Sequence, residues 1–361
     1  MWFLYLMLVI LVFGVLVFIH EFGHFITARL CGVAVKEFAV GMGPKIVSWT
    51  SKKYGTRYAL RLLPFGGFVS MEGEDEESDS QNAFCNKSIW KRILIILAGP
   101  LMNLILGFTL MTLLVFLQGT PVSTVIAEFQ EGAISNEQLQ VGDEVLSVDG
   151  TRVHTGDEMV YEIMNQGYEP IDLVVRRNGQ RITLTDVVFP TEVDEASGVV
   201  FGMYDFIPYA DQTNLPNLCK HAFWRSVSTV KMVYDSLFGL ISGRYGMDAI
   251  SGPVGVAEVV GNAAQVGFNS FLYIVIVLST NLGVFNLIPF PALDGGRCLF
   301  LALEGGYGVL FRRRIRRDPE ANDRFMRRLR VVESYINFVG LILLFGLMIY
   351  VTVKDVLNLF V

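Results

Sequence analysis

Three titratable side chains, His20, Glu21 and His24, interrupt a stretch that otherwise reads as one apolar helix over residues 2–30. Ionisable groups inside a membrane-spanning helix cost about 3 kcal/mol or more apiece, so those that persist usually mark a site. Successive helical residues turn by about 100°, which puts His20 and His24, four apart, on nearly the same face with one turn between them. Both imidazoles can then reach one ion. Glu21 lies one step round from His20, close enough to act on a water held by that ion without displacing it. This is the H-E-x-x-H arrangement of zinc proteases, in which the glutamate is the general base. The competing reading, two histidines and a glutamate hydrogen-bonded between packed helices, must bear the same insertion cost.

A catalytic zinc takes three protein ligands and keeps a fourth position for water. The chain must therefore supply another ligand. Residues 286–296 read Asn-Leu-Ile-Pro-Phe-Pro-Ala-Leu-Asp-Gly-Gly. Two prolines two residues apart destroy helical hydrogen bonding, and the glycine pair permits a tight turn. Irregular backbone survives at membrane depth only where it is buried in protein or lines a wet cavity. Asp294 is the single carboxylate of that run; as a bland alternative it would cap or turn the chain at the interface. Depth favours pairing it with the histidines. His20 lies about 28 Å along the first span at 1.5 Å per residue, and the third span, running the same way, reaches Asp294 within about 35 Å.

These residues need a membrane scaffold, and the composition supplies one. The chain has 361 residues, of which 52% are hydrophobic and 18% charged, with mean hydropathy +0.46, which excludes an ordinary soluble globular protein. A span needs about 20 mostly apolar residues, and four stretches qualify: 2–30, 93–117, 271–293 and 336–353. The first has no positive residue before its apolar run and no small-residue cleavage signature after it, so it is expected to remain as a helix rather than act as a signal peptide. Lys and Arg collect between spans one and two, and between spans three and four, where Arg312, Arg313, Arg314, Arg316, Arg317, Arg324, Arg327, Arg328 and Arg330 stand. By the positive-inside rule both connections face the cytoplasm, and the acidic segment 118–270 and both termini lie outside. The arginine run reads as this topology signal, with anionic lipid headgroups as a further partner. Nucleic-acid binding is not needed to explain it, and the net charge of −6 points the same way. Cys31, Cys85, Cys219 and Cys298 show no paired spacing, and no structural disulfide is expected.

The remaining segments divide the chain. Residues 34–92 carry β-prone pieces such as 45–49 and 57–61, punctuated by Gly41, Gly43, Pro44 and the run Pro64-Phe65-Gly66-Gly67. They read as a small amphipathic sheet or hairpin, either dipping into the membrane or tying spans one and two together on the solvent side. The acidic run Glu72-Gly73-Glu74-Asp75-Glu76-Glu77-Ser78-Asp79 is expected to be a solvated loop without chemistry. Short strands at 122–126, 144–148, 171–176 and 181–184, with Asn178-Gly179 as a hairpin signal, predict an α+β domain over 118–200. Residues 139–150, Leu-Gln-Val-Gly-Asp-Glu-Val-Leu-Ser-Val-Asp-Gly, look like the core of a PDZ domain. No glycine-rich carboxylate-binding loop is evident, so the domain is read as a filter against bulky substrates, with peptide contact as the alternative. Within a linker over 201–270, residues 220–241 show the apolar stripe of an amphipathic interfacial helix, with Trp224 and Tyr234 suited to the outer interface. His154 and His221 are not expected to bind metal.

Taken together, the motifs identify a relationship. H-E-F-G-H at 20–24, Gly41-Met42-Gly43-Pro44, Ala98-Gly99-Pro100 with Asn103, Ser251-Gly252-Pro253-Val254-Gly255 and the N-x-x-P-x-P-x-L-D-G-G run follow one another in this order. The chain resembles the site-2 protease family of intramembrane metalloproteases, of the bacterial RseP/RasP type, over nearly its whole length. The resemblance implies one Zn2+ per chain held by His20, His24 and Asp294, with Glu21 as base. It implies that Asn286 handles substrate, and that the β element, with Gly41, Met42 and Gly43, pairs with an extended substrate by edge-strand addition. The fold expected is a polytopic α-helical membrane protein. It has transmembrane helices in 1–33, 93–117, 271–298 and 336–361, the membrane-associated β element, the inserted extracytoplasmic PDZ-like domain and a basic cytoplasmic loop at 299–335. The function expected is regulated intramembrane proteolysis in the bacterial inner membrane, cutting single-span proteins such as anti-sigma factors or remnant signal peptides after outside trimming, as in sigma-factor signalling. Two rivals stand beside it: a membrane metal-ion transporter that uses the same polar triad, and a noncatalytic adaptor built on the PDZ-like domain, which would bind no stoichiometric zinc.

Overall fold

The computed structural model describes residues 2–74, 76, 78–194, 198–246, 249–311 and 319–358. Arg312, Arg313, Arg314, Arg316 and Arg317 of the basic run, and Asp75 and Glu77 of the acidic run, lie outside the described residues. The chain divides into two units, residues 1–107 with 251–361, and residues 108–250.

The first unit opens with α1 (Trp2–Leu30), an uninterrupted helix. Strands β1 (Val35–Thr50) and β2 (Arg57–Met71) follow and pair antiparallel. Both bend midway, β1 at Gly41 and Gly43 and β2 at Gly66, all three with φ between +76° and +86°, a region open to glycine. Because of the bends Phe38 faces both Val69 and Tyr58, while Tyr58 also faces Trp49. Two strands thus make a four-row sheet where a small sheet or hairpin was expected. Helix α2 (Ile89–Gln118) begins this side of the break and runs on into the second unit. After the second unit come α5 (Pro253–Val266) and α6 (Phe268–Leu287), then α7 (Asp294–Leu310) and α8 (Pro319–Asn358). Phe25, Phe38, Val69, Ile95 and Leu301 share one buried cluster that binds α1, the sheet, α2 and α7 together.

Among the described residues four helices are long and apolar enough to cross a membrane: Tyr5–Leu30, Ile89–Gln118, Phe268–Leu287 and Arg324–Leu357. Two expectations change. The third span ends at Leu287 rather than 293, because Pro289 and Pro291 cannot donate to a helix and Ala292 takes φ +71°. The region 299–335 is not a loop where it is described. Helix α7 continues to Leu310, and α8 starts at Pro319, a residue suited to the first position of a helix.

The second unit holds a sheet of order β10-β3-β4-β6-β7: β3 (Val122–Phe129), β4 (Glu144–Val148), β6 (Ile171–Arg177), β7 (Gln180–Val187) and β10 (Phe206–Ala210). A short β5 (Thr151–Arg152) pairs with β4, and β8 (Thr191–Val193) pairs with β9 (Val200–Gly202). Asn178 and Gly179 both take positive φ at the β6–β7 turn, as an Asn-Gly hairpin requires. Helix α3 (Gly156–Gln166) closes the core with Met159 and Ile163 against Ile126, Val145, Leu173 and Phe206. Helix α4 (Leu215–Ser242) covers the stripe predicted for 220–241. It is tied to α3 by polar contacts: Tyr161 Oη to Asp235 at 2.8 Å and Lys231 to Glu162 at 2.8 Å. Trp224 stacks on the His154 ring, centroids 3.5 Å apart, so it packs within this unit instead of standing free at an interface.

Candidate metal centre

His20 and His24 leave α1 on one face, their rings 4.9 Å apart between centroids, as the i, i+4 spacing requires. Asp294 is the first residue of α7. Three atoms converge: His20 Nε2 and Asp294 Oδ2 at 3.1 Å, His24 Nε2 and Asp294 Oδ2 at 3.3 Å, and the two Nε2 atoms at 3.2 Å. A tetrahedral zinc with ligand bonds of about 2.0–2.1 Å separates its ligand atoms by about 3.3–3.4 Å. The triangle already has that size. Asp294 Oδ2 is buried with no hydrogen-bond donor satisfying it, a cost that a cation at the centre would remove. Among the described residues this is the one His/Cys/Asp/Glu cluster with metal-binding geometry.

The surroundings fix the imidazoles. His24 Nδ1 lies 2.9 Å from the Ile95 carbonyl on α2, so it donates there and leaves Nε2 as the lone-pair nitrogen. His20 Nδ1 faces the amide of Asn103 at 3.2 Å. Asn103 is fully buried, and its Oδ1 has no partner. Turning that amide over would offer Oδ1 to an Nδ1–H, giving His20 the same tautomer as His24 and satisfying the orphaned oxygen. The Asn103 carbonyl meanwhile accepts from Ser279 Oγ on α6 at 2.8 Å. Gly99, one turn away, makes room for the site: a Cβ there would stand 2.2 Å from His24 Nε2. Gly23 gives the reciprocal clearance, its hypothetical Cβ falling 2.3 Å from the Ala98 carbonyl oxygen.

Glu21 lies under the sheet. A Cβ on Gly67 would stand 3.1 Å from Glu21 Cγ, and Gly67 pairs with Val40. Gly67 is therefore the part of the β element beside Glu21, whereas Gly41, Met42 and Gly43 form the bend of β1, with Met42 half exposed. The break before α7 is held from α8: Asn337 Oδ1 accepts from Ala292 N at 3.1 Å. Asn286 donates its Nδ2 to the Leu282 carbonyl of its own helix at 2.8 Å. His154 is bonded to Glu158 and His221 to Asp211, each at 3.2 Å, within the second unit. The acidic run was expected to be solvated throughout, but among its described residues Gly73 is buried. Glu74 pairs with Arg297 on α7 at 2.6 Å.

The residues single-sequence reasoning missed are Gly67, Gly99, Asn103, Glu74, Arg297 and Asn337. Gly99 and Asn103 stood in a motif of the second span, and Gly67 in the Pro-Phe-Gly-Gly run, where a signal was present but no contact could be read from it.

The model of the family described as Peptidase family M50 matches residues 8–317. A Clostridium perfringens protein provisionally named a zinc metalloprotease is 35% identical over 98% of this chain and 99% of its own length. The zinc metalloprotease RasP of Geobacillus kaustophilus is 30% identical over 97% of each chain. The regulator of sigma-W protease RasP of Bacillus subtilis is 27% identical over 97% of this chain and 98% of its own.

Proposed function

The chain belongs to peptidase family M50, and from that premise we propose that its zinc is held by His20, His24 and Asp294, with Glu21 as the general base of an intramembrane endopeptidase. Membership makes it a membrane zinc metalloprotease of the site-2, RseP/RasP type. The assignment of residues is carried by one observation, the 3.1, 3.2 and 3.3 Å triangle of two Nε2 atoms and one carboxylate oxygen. His20, His24 and Asp294 would hold a zinc that, when bound, would supply Lewis acidity to activate a water and polarise the scissile carbonyl. Glu21, adjacent to His20 and covered by Gly67, takes a proton from the attacking water and delivers it to the leaving amine. The Ile95 carbonyl and Asn103 keep both imidazoles with Nε2 toward the centre. Asn286 would turn from Leu282 to bind substrate backbone or the developing oxyanion.

The substrate reading follows from the scaffold. A helix satisfies its own amides, so a membrane-embedded substrate must be unwound before water attacks. The bent β1–β2 sheet beside Glu21 offers an edge on which an extended segment can pair. Single-span membrane proteins are the substrates proposed, anti-sigma factors and remnant signal peptides among them, cut after extracytoplasmic trimming. The distribution of basic residues orients the chain in the bacterial inner membrane with the metal centre toward the cytoplasm. Residues 118–200 then form an extracytoplasmic PDZ-like domain that limits access by size. Glu21→Gln should keep one zinc per chain and abolish cleavage of a transmembrane reporter. Cleavage at near wild-type rate by that variant would sink the mechanism; metal flux into liposomes without any cleavage would favour a transporter.

A further inference from the structure

Helix α7 begins with Asp294, but the segment that leads into it is poorly suited to aim a carboxylate. Between Leu287 and Asp294 the backbone has no regular helix, so α7 does not inherit its rotation from α6. Yet a ligand atom must be placed closely. A side chain near the rim of a helix lies roughly 6 Å from the axis, so a 10° turn moves it about 1 Å. That is half the length of a zinc–oxygen bond of about 2.0–2.2 Å.

One face of α7 carries what would set this rotation. Asp294, Arg297, Leu301 and Glu304 are spaced three, four and three apart, and at 100° per residue fall within about 80° of arc. Each has a partner outside α7. Asp294 meets the histidines of α1. Arg297 Nη1 contacts Glu74 Oε1 at 2.6 Å. Leu301 is buried in the cluster with Phe25 and Ile95. Glu304 accepts two bonds from Arg92 at the start of α2, at 2.6 and 3.2 Å. Glu74 is itself anchored, since its Oε2 accepts from Met71 N at the end of β2 at 3.3 Å. Of these contacts the Glu74–Arg297 pair lies within one turn of the ligand, where it has most control over the carboxylate, and through Met71 N it ties α7 to the end of β2, the strand that carries Gly67.

We propose that Glu74 and Arg297 are positioning residues that clamp the first turn of α7 to the β element, fixing the rotation at which Asp294 reaches the metal. This rests on Asp294 being a ligand. A further consequence is that the β element and the metal centre are mechanically one piece: displacement of β2 would be felt at Asp294 through this pair.

The test is zinc affinity of the purified full-length protein in detergent, measured by competition with a chromogenic chelator, together with the ligand-field spectrum of the Co2+-substituted form. Glu74→Gln and Arg297→Gln should each weaken zinc by about tenfold, the low end for a lost outer-shell partner, and should shift the tetrahedral Co2+ bands. The double variant should bind no more weakly than either single one, because the pair acts as a unit. Arg297→Lys, which keeps the ion pair, should stay within about twofold of wild type and guards against a general folding defect. Singles that bind zinc like wild type, or a double variant whose loss is the product of the two, overturn the proposal. His24→Ala in the same titration separates the two levels: if it keeps tight zinc, the ligand assignment fails; if it loses zinc while Glu74→Gln does not, only the clamp fails.

Discussion

Replacing Gly99 by alanine sets two effects against each other, and the structure decides between them. Gly99 lies inside α2 with ordinary helical φ, where alanine is the better helix former by about 1 kcal/mol. The added methyl, however, would stand 2.2 Å from His24 Nε2, 2.5 Å from Cε1 and 2.8 Å from Cδ2. An unstrained carbon–nitrogen contact needs roughly 3.4 Å or more, so ring and methyl must part by about 1.2 Å. His24 has little freedom to yield. Its Nδ1 is bonded to Ile95 O on the same helix as the methyl, and on its other side its Nε2 faces His20 and Asp294. A shift of 1 Å at a reacting centre costs on the order of 100-fold in rate, and it lengthens a zinc bond beyond the ligand range. Gly99→Ala should therefore keep helical content but lower metal-free stability by about 1–3 kcal/mol, the usual cost of overpacking, while zinc affinity falls at least tenfold and reporter cleavage about 100-fold. Gly14→Ala is the matched control, since that position on α1 has nothing within 4 Å of the new methyl. Cleavage assays on both variants, with zinc content measured alongside, give the answer. If Gly99→Ala cleaves and holds zinc as Gly14→Ala does, the close approach of α1 and α2 at His24 is not what shapes the site.

Other changes probe the remaining supports. Asn103→Leu removes the partner of His20 Nδ1 and should weaken zinc by 10- to 100-fold, roughly 1.4–2.7 kcal/mol, whereas Asn103→Asp, which offers a stronger acceptor, should retain it; chelator competition compares the two. Asn337→Ala leaves the Ala292 amide at φ +71° without its acceptor and should cost about 1–3 kcal/mol in denaturant unfolding; an unchanged midpoint would mean that α8 does not hold the break. At Asp211, burial pushes the carboxyl up, but the hydrogen bonds from His221 and Gln212 N outweigh it and keep it below its ordinary range. A depressed folded value stabilises fully above the unfolded value near pH 4 and is lost as pH falls through the folded one. Amide exchange at the start of α4, corrected for intrinsic rates, should thus stay flat from about pH 7 to 5 and rise only below about 4; an increase already between about pH 7 and 5 would refute the role given to Asp211.

The part of the candidate metal centre on α1 was legible because helical periodicity alone brings His20 and His24 together. Asp294 was legible for a different reason: Pro289, Pro291 and the glycine pair made the surrounding backbone impossible as a buried helix. Gly99 and Asn103 lie in an apolar helix whose period says which face is theirs but not which helix crosses it, and a crossing is a property of two segments. Glu74 illustrates the opposite error. A dense acidic run obeys the composition rule for solvated loops, and composition cannot single out the member that an arginine more than 200 positions away will take. A sheet or hairpin was legible in 34–92, but that two long strands each bend was hidden by their glycines, which mark bends as readily as ends.

The break between α6 and α7 also bears on how the protein is made. The histidines and the glutamate emerge early in synthesis, whereas Asp294 is added only after most of the chain has left the ribosome. Until then α1 and α2 can assemble a pair of imidazoles but not the closing carboxylate. If the triangle is the metal centre, a nascent chain that stops short of residue 294 holds only two of its three ligand atoms. Ribosome-arrested chains ending before residue 294 should insert the first two spans yet bind zinc weakly, and extension through α7 should convert them in one step.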